Sequence, residues 1–154
     1  GFYLSGTDNE TLLFRPKECY DGAPPSGNSL IAYVLVRLNA LLPDQSTENI
    51  LNKQLAYMAG EAEQSPAGFS MFLMALSDFL EPPVLITAVP NGEDLSGLPF
   101  VLPSDAIVKV LDRPSEEYKL LNNEATFYVC RNQSCLPPMN KRQLMTEILK
   151  RDKI

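Results

Sequence analysis

Histidine and tryptophan are absent from this 154-residue chain. Without histidine, no Ser-His-Asp or Cys-His nucleophile can be assembled, and no zinc site with an imidazole ligand. Positive charge is in deficit as well: 13 Lys and Arg stand against 19 Asp and Glu, a formal net charge of −6. A nucleic-acid partner is therefore not expected, because phosphate binding draws on an excess of basic side chains. No apolar run approaches the roughly 20 residues of a membrane span, so no membrane partner is expected either. A basic leader and an initiator Met are also lacking. The opening Gly1-Phe2-Tyr3 reads as an excised or processed segment without a secretory signal. Cysteine is scarce, and its odd count of three argues against a full disulfide framework. A reducing, cytoplasmic setting is the expectation, with no cofactor and no metal.

What is present points to an ordinary folded chain. At 45% hydrophobic and 21% charged, it is long enough for one domain or a domain and a half. It can bury roughly two thirds of the surface its unfolded form exposes. Charge divides unevenly along it. Residues 1–81 hold four basic and ten acidic residues, whereas 82–154 hold nine of each. Eight of the thirteen prolines follow Glu81. The first part reads as helices and the second as short strands with turns, so the boundary is placed at Pro82-Pro83.

The opening reads as a hairpin, with Phe2–Leu4 and Leu12–Phe14 as arms around the turn-rich Gly6–Asn9. A first helix is predicted from near Ser26–Ser29 to Leu42, stopped by Pro43-Asp44. It is apolar nearly all round, with only Arg37 and Asn39 clearly polar, and a helix of that kind wants cover on most sides. A bundle of three helices does not easily surround it. A second helix is predicted from Ser46 or Thr47, both good caps, to about Glu63. A third should begin at Ser65-Pro66, a cap followed by a proline at the first helical position, and end before Pro82. Buried strands are predicted at Val84–Val89, Ala106–Leu111 and Ala125–Val129. The stretch between the first two, Asn91–Pro103, is too rich in Gly and Pro for a long helix. Asn140 should cap a last helix from Lys141 to about Asp152, whose basic C-terminal end suits the macrodipole.

Two constellations carry candidate chemistry. In the stretch from Arg15 to Ser29, the small polar residues Ser26, Asn28 and Ser29 stand at a helix start. Free backbone N–H groups and the positive end of the dipole there favour anions and polar ligands. Arg15 and Lys17 would add charge, and Asp21 would accept hydrogen bonds from a polyol or act as a base. The plainer alternative is a capped helix start in which Asp21 braces the loop. The second constellation is Cys130-Arg-Asn-Gln-Ser-Cys135. Four intervening residues permit a turn that brings the thiols together, as a redox pair or as half of a thiolate metal site; the plainer alternatives are two thiols at a strand end with no chemistry, or a loose structural pair.

Taken with Phe2-Tyr3, the blocks Leu13-Phe14-Arg15-Pro16-Lys17, Asp21-Gly22-Ala23 and Pro25-Ser26-Gly27-Asn28-Ser29 resemble the C-terminal region of one family. So do Gly68-Phe69, Pro82-Pro83 before a strand, and the closing Tyr128-Val129-Cys130, Cys135 and Pro137-Pro138. The family is that of the thioredoxin-domain-containing proteins related to the spermatogenesis-associated thioredoxin-like protein. The resemblance runs over almost the whole chain, in order. It implies an N-terminal thioredoxin-like domain joined to a helical toroid similar to N-acylglucosamine 2-epimerases and six-hairpin glycosidases. On that footing the fold class is α+β. Residues 1–81 would be an N-terminal hairpin and the last helical hairpins of an (α/α) toroid, and 82–154 a small three-stranded α/β subdomain.

The resemblance also implies that Arg15, Lys17, Asp21, Ser26, Asn28 and Ser29 face a central carbohydrate-binding cleft, to which this chain contributes structure and not catalysis. The expected partners are the remaining toroid hairpins and the thioredoxin-like domain. Association into a homo-oligomer through uncovered apolar helix faces is also expected. Two other functions remain open: a redox accessory acting through Cys130 and Cys135, and an interaction module without chemistry.

Overall fold

The computed structural model describes residues 1–10, 13–95, 102, 106–131, 134–144 and 146. They form two compact units, 1–82 and 83–154, the first helical and the second built on a mixed sheet. The fold class is α+β.

Helix α1 spans Gly27–Leu41. Ser26 caps it: its backbone is extended, and its Oγ accepts from the Ser29 N–H at 3.1 Å, which satisfies one of the amides a helix start leaves free. Helix α2 spans Gln45–Ala62. Its cap is Asp44, two or three residues earlier than Ser46 or Thr47. The Asp44 carboxylate accepts from the Thr47 N–H at 3.0 Å, and as an anion it complements the helix dipole better than a hydroxyl. A 3-10 turn at Pro66–Gly68 precedes α3, Ser70–Leu80. The third α-helix thus starts later than Ser65-Pro66 implied. Ser65 makes no side-chain cap bond, and the proline opens the short turn instead.

Helix α1 packs against both α2 and α3. The face it buries is made of small residues, Ser29, Ala32 and Val36 at helical spacing, which lets its neighbours approach closely. Against them pack Leu51, Leu55 and Met58 of α2 and Phe72 of α3. The predicted opening hairpin does not form. The described residues of 1–10 and 13–25 contain no strand, and the backbone bond from Leu4 N–H to Pro16 O at 3.0 Å joins the first arm to the chain beyond the second. Pro16 cannot donate to a ladder, Leu13 and Phe14 are exposed, and Leu12 lies outside the described residues.

The second unit holds five strands where three apolar runs predicted three. They are β1 Leu85–Val89, β2 Ile107–Val110, β3 Thr126–Arg131, β4 Ser134–Cys135 and β5 Met139–Asn140. The order is β2-β1-β3-β4, with β5 also on β3. β1 runs parallel to β2, pairing Leu85 with Ile107, and antiparallel to β3, pairing Leu85 with Cys130 and Val89 with Thr126. As the central strand it is buried over four of its five residues, as expected where both faces are covered. β4 and β5 are one edge strand interrupted at Pro137-Pro138, and the register on β3 shifts by one residue across the break. Two-residue segments of this kind are too short for an apolar-run reading to detect. Prolines are tolerated there because an edge strand has N–H groups to spare.

Asn122 and Asn123 both take positive φ, 53° and 59°, and the Glu124 N–H closes on Leu121 O at 3.0 Å. This is a mirror-image two-residue turn. Asn140 and Gln143 cap residues 141–144 reciprocally: Asn140 Oδ1 accepts from the Gln143 N–H at 3.0 Å, and Gln143 Oε1 from the Asn140 N–H at 2.9 Å. Of the rest of the predicted last helix, Thr146 is helical; residues 145 and 147–152, and residues 96–101 and 103–105 between β1 and β2, lie outside the described residues.

Candidate functional site

The loop from Arg15 to Ser29 gathers its polar side chains at the start of α1. Asp21 is buried. Its Oδ1 accepts from the Ser26 N–H at 2.8 Å. Its Oδ2 accepts from the Met71 and Phe72 N–H groups at 2.9 and 3.3 Å. Helix α3 has no side-chain cap of its own, so Asp21 caps it from fifty residues away while bracing the start of α1. The Asp21 N–H also donates to Gly68 O at 2.7 Å. Burial alone would push this carboxyl up. The hydrogen bonds from Ser26, Ser29, Phe72 and Met71 outweigh burial and hold it below the ordinary carboxylate value. A carboxylate so placed is a fixed acceptor and a poor base.

Ser26 Oγ donates to Cys19 O at 3.0 Å and lies 3.0 Å from Ser29 Oγ. Asn28 uses its whole side chain. Nδ2 donates to Phe2 O at 2.9 Å and Glu18 O at 2.8 Å. Oδ1 accepts from the Phe2 N–H at 2.7 Å and from Gln54 Nε2 at 3.1 Å. An amide side chain offers two donors and one oxygen with two lone pairs, so all four positions are committed to the protein itself. Asn28 pairs with Phe2 in both directions, as a strand neighbour would, and this pins the N-terminal segment to α1.

Arg15 and Lys17 lie beside this network. The Arg15 guanidinium donates to Ser5 Oγ and Ser5 O at 3.2 and 2.5 Å and sits 4.5 Å over the Tyr3 ring. The Lys17 ammonium lies 4.6 Å from the Tyr3 ring and 5.1 Å from that of Tyr57, within cation–π range. The Cys19 thiol is buried, donates to Lys17 O and lies 3.3 Å from the Tyr57 hydroxyl. The Cys19 contact and burial together push the Tyr57 hydroxyl up. Asp21, Ser26 and Ser29 thus form one network spent on backbone and cap bonds, Asn28 is spent separately on Phe2, Glu18 and Gln54, and Arg15 and Lys17 form a cationic pair around Tyr3.

Gln54 was not anticipated. It is buried in the middle of α2, and its Nε2 donates to Asn28 O and Oδ1 at 2.9 and 3.1 Å. The sequence signal was a glutamine on the face that carries Leu51, Leu55 and Met58. A polar residue on an apolar stripe has to find partners inside.

The second candidate pair, Cys130 and Cys135, is joined by a disulfide, with the Cα atoms 4.0 Å apart. Cys19 is free. Among the described residues no group of three or more His, Cys, Asp or Glu is placed to hold a metal. A groove of about 420 Å³ lies in the same unit as the disulfide, lined by Leu136, Pro137, Pro138, Met139, Arg142, Gln143 and Thr146. It includes none of the sequence-predicted residues. Among the described residues no helix is long and apolar enough to cross a membrane.

Comparison of the chain with family models, with curated proteins and with solved structures found no match.

Proposed function

We propose that the helical unit is a scaffold element whose α1 face packs against further helices of a toroid. In this reading the 15–29 loop forms a rigid, non-catalytic part of the wall of a carbohydrate-binding cleft. The observation that carries the scaffold reading is an uncovered stripe. Leu30, Val34 and Leu38 follow each other at four-residue spacing on α1, and they are 43%, 58% and 39% exposed. Neighbouring apolar side chains of this size on one helix face mark a contact surface. The cleft follows from the family resemblance. Its support in the site is the Arg15–Lys17–Tyr3 cluster, in which two cations stand over one ring. The compartment we propose is the cytoplasm, which the free Cys19 thiol suits and in which the Cys130–Cys135 disulfide has to be a reversible pair and not a permanent one.

The test is the association state of the chain. Light scattering should show self-association that Val34→Glu and Leu38→Glu abolish without loss of helical circular dichroism. A monomer at high concentration that binds no hydrophobic dye would overturn the scaffold reading. Calorimetric titration with N-acyl hexosamines tests the cleft separately, and no heat with any of them removes it.

A further inference from the structure

The Cys130–Cys135 bond closes a hairpin that the backbone has already closed. β4 pairs with β3 so that Cys130 faces Cys135 and Arg131 faces Ser134. The Leu136 N–H donates to Val129 O at 2.9 Å, which makes Val129 and Leu136 a hydrogen-bonded pair. The next pair, Cys130 and Cys135, is therefore of the non-hydrogen-bonded kind, in which facing side chains come closest. The two sulfurs are brought together by strand register, and breaking the bond leaves them opposite each other.

The bond also holds little else. Its loop is short, and short loops gain least from a cross-link. Neither cysteine belongs to the apolar cluster under the sheet. β3 is anchored on its other side by five pairings with β1. Cys135 lies on an exposed two-residue edge strand, so an attacking thiolate can reach its sulfur. Cys130 is half-buried.

We infer that Cys130 and Cys135 are a reversible dithiol/disulfide site that exchanges with an external dithiol, protein or small molecule. This inference is independent of the scaffold reading of the helical unit. A thiolate of the dithiol attacks Cys135 Sγ. The new bond joins the reductant to Cys135, the Cys130–Cys135 bond breaks, and Cys130 leaves as a thiolate and takes up a proton. The second thiol of the reductant loses its proton and attacks its own sulfur in the mixed disulfide. Cys135 is then released and protonated. Two electrons and two protons pass to the pair, and the reductant ends as its disulfide. Reoxidation reverses the sequence, helped by a register that keeps the thiols in contact.

The experiment treats the folded, oxidised chain with dithiothreitol, quenches by alkylation and counts modified cysteines by mass spectrometry. Circular dichroism and hydrogen exchange of β1 and β3 are followed in parallel. The expected result is native-state reduction of Cys130 and Cys135 with protection in β1 and β3 retained, and recovery of the bond when dithiothreitol is replaced by its oxidised form. In single-cysteine comparisons, Cys135 in C130S should form a mixed disulfide with an aromatic disulfide reagent roughly tenfold faster than Cys130 in C135S, because access governs the rate. Reduction only after urea unfolds the sheet would overturn the proposal and make the bond a structural staple. So would loss of β1 and β3 protection on reduction, or a purified chain in which the pair never oxidises.

Discussion

The two units solve the same problem in opposite ways. In residues 83–154, the central strand β1 is covered on both sides by neighbours, and Val110 is the one large apolar residue exposed among those described. In residues 1–82, large apolar side chains remain exposed on all three helices: Leu30 and Val34 on α1, Ile50 on α2, Met74 and Leu80 on α3. The helical unit instead spends buried polar groups, Asp21, Ser26, Asn28, Ser29 and Gln54, on tying loops to helix starts. A sheet covers itself through its ladder and its packed face. A three-helix unit has too few neighbours to cover an all-apolar helix, and it is held by a polar clasp at one end.

The contrast can be broken by attacking each core. Phe72 and Phe127 are each fully buried, one per core. Replacing either by Ala should cost about 3–5 kcal/mol through lost burial and the cavity left behind. Hydrogen exchange should show the loss of protection within 1–82 for Phe72→Ala and within 83–154 for Phe127→Ala. A substitution that loosened both units equally would remove the distinction.

The clasp is the next target. Asp21→Ala removes the acceptor shared by the starts of α1 and α3, and urea unfolding should register a loss of about 3 kcal/mol. Asp21→Asn should cost less, since one amide oxygen keeps part of the network. The same residue gives a pH signature. Its folded carboxyl is held below its ordinary value of 3.8, so at low pH the unfolded chain binds a proton that the folded chain refuses. The contribution is fully present above about 3.8 and is lost as pH falls through the lower folded value. Acid unfolding monitored at α1 and α3 should show this dependence in the wild type and not in Asp21→Asn.

Smaller effects sharpen the picture. Asn122 sits at φ 53°, where asparagine is tolerated better than alanine. Asn122→Ala should cost about 1 kcal/mol, confined to the sheet unit. The Arg37–Asp78 ion pair, 3.4 Å and partly exposed, ties α1 to α3. Asp78→Asn should cost about 0.5 kcal/mol or less, screened by salt. Thermal melts at low and high ionic strength would check it.

Much of the element order was legible because it rests on short-range signals. Pro43, Ser26 and the apolar stripe of α2 announce helices, and the runs before Val89, Val110 and Val129 announce strands. The failures have physical causes. Ser65-Pro66 has the form of a helix start, but its residues close a 3-10 turn. The opening arms alternate too weakly, and Pro16 deprives them of a ladder donor. β4 and β5 exist only because β3 offers them an open edge. At the site, the clustering of small polar residues before α1 was visible. Their being consumed by Phe2, Glu18, Gln54 and α3 was not, because those partners come from up to fifty residues away.

What the sequence determined alone was the menu: an acidic chain without histidine, three amphipathic or apolar helices, then strands with two cysteines five residues apart. Helix and strand choice follows from local periodicity and capping, which read along a few residues. The tertiary structure decided which groups are free to act. Asp21 became a clasp and not a base because two helix starts meet at its carboxylate. Cys130 and Cys135 became partners because antiparallel register sets them face to face. Those outcomes depend on distances across the fold, and no spacing along the chain encodes them.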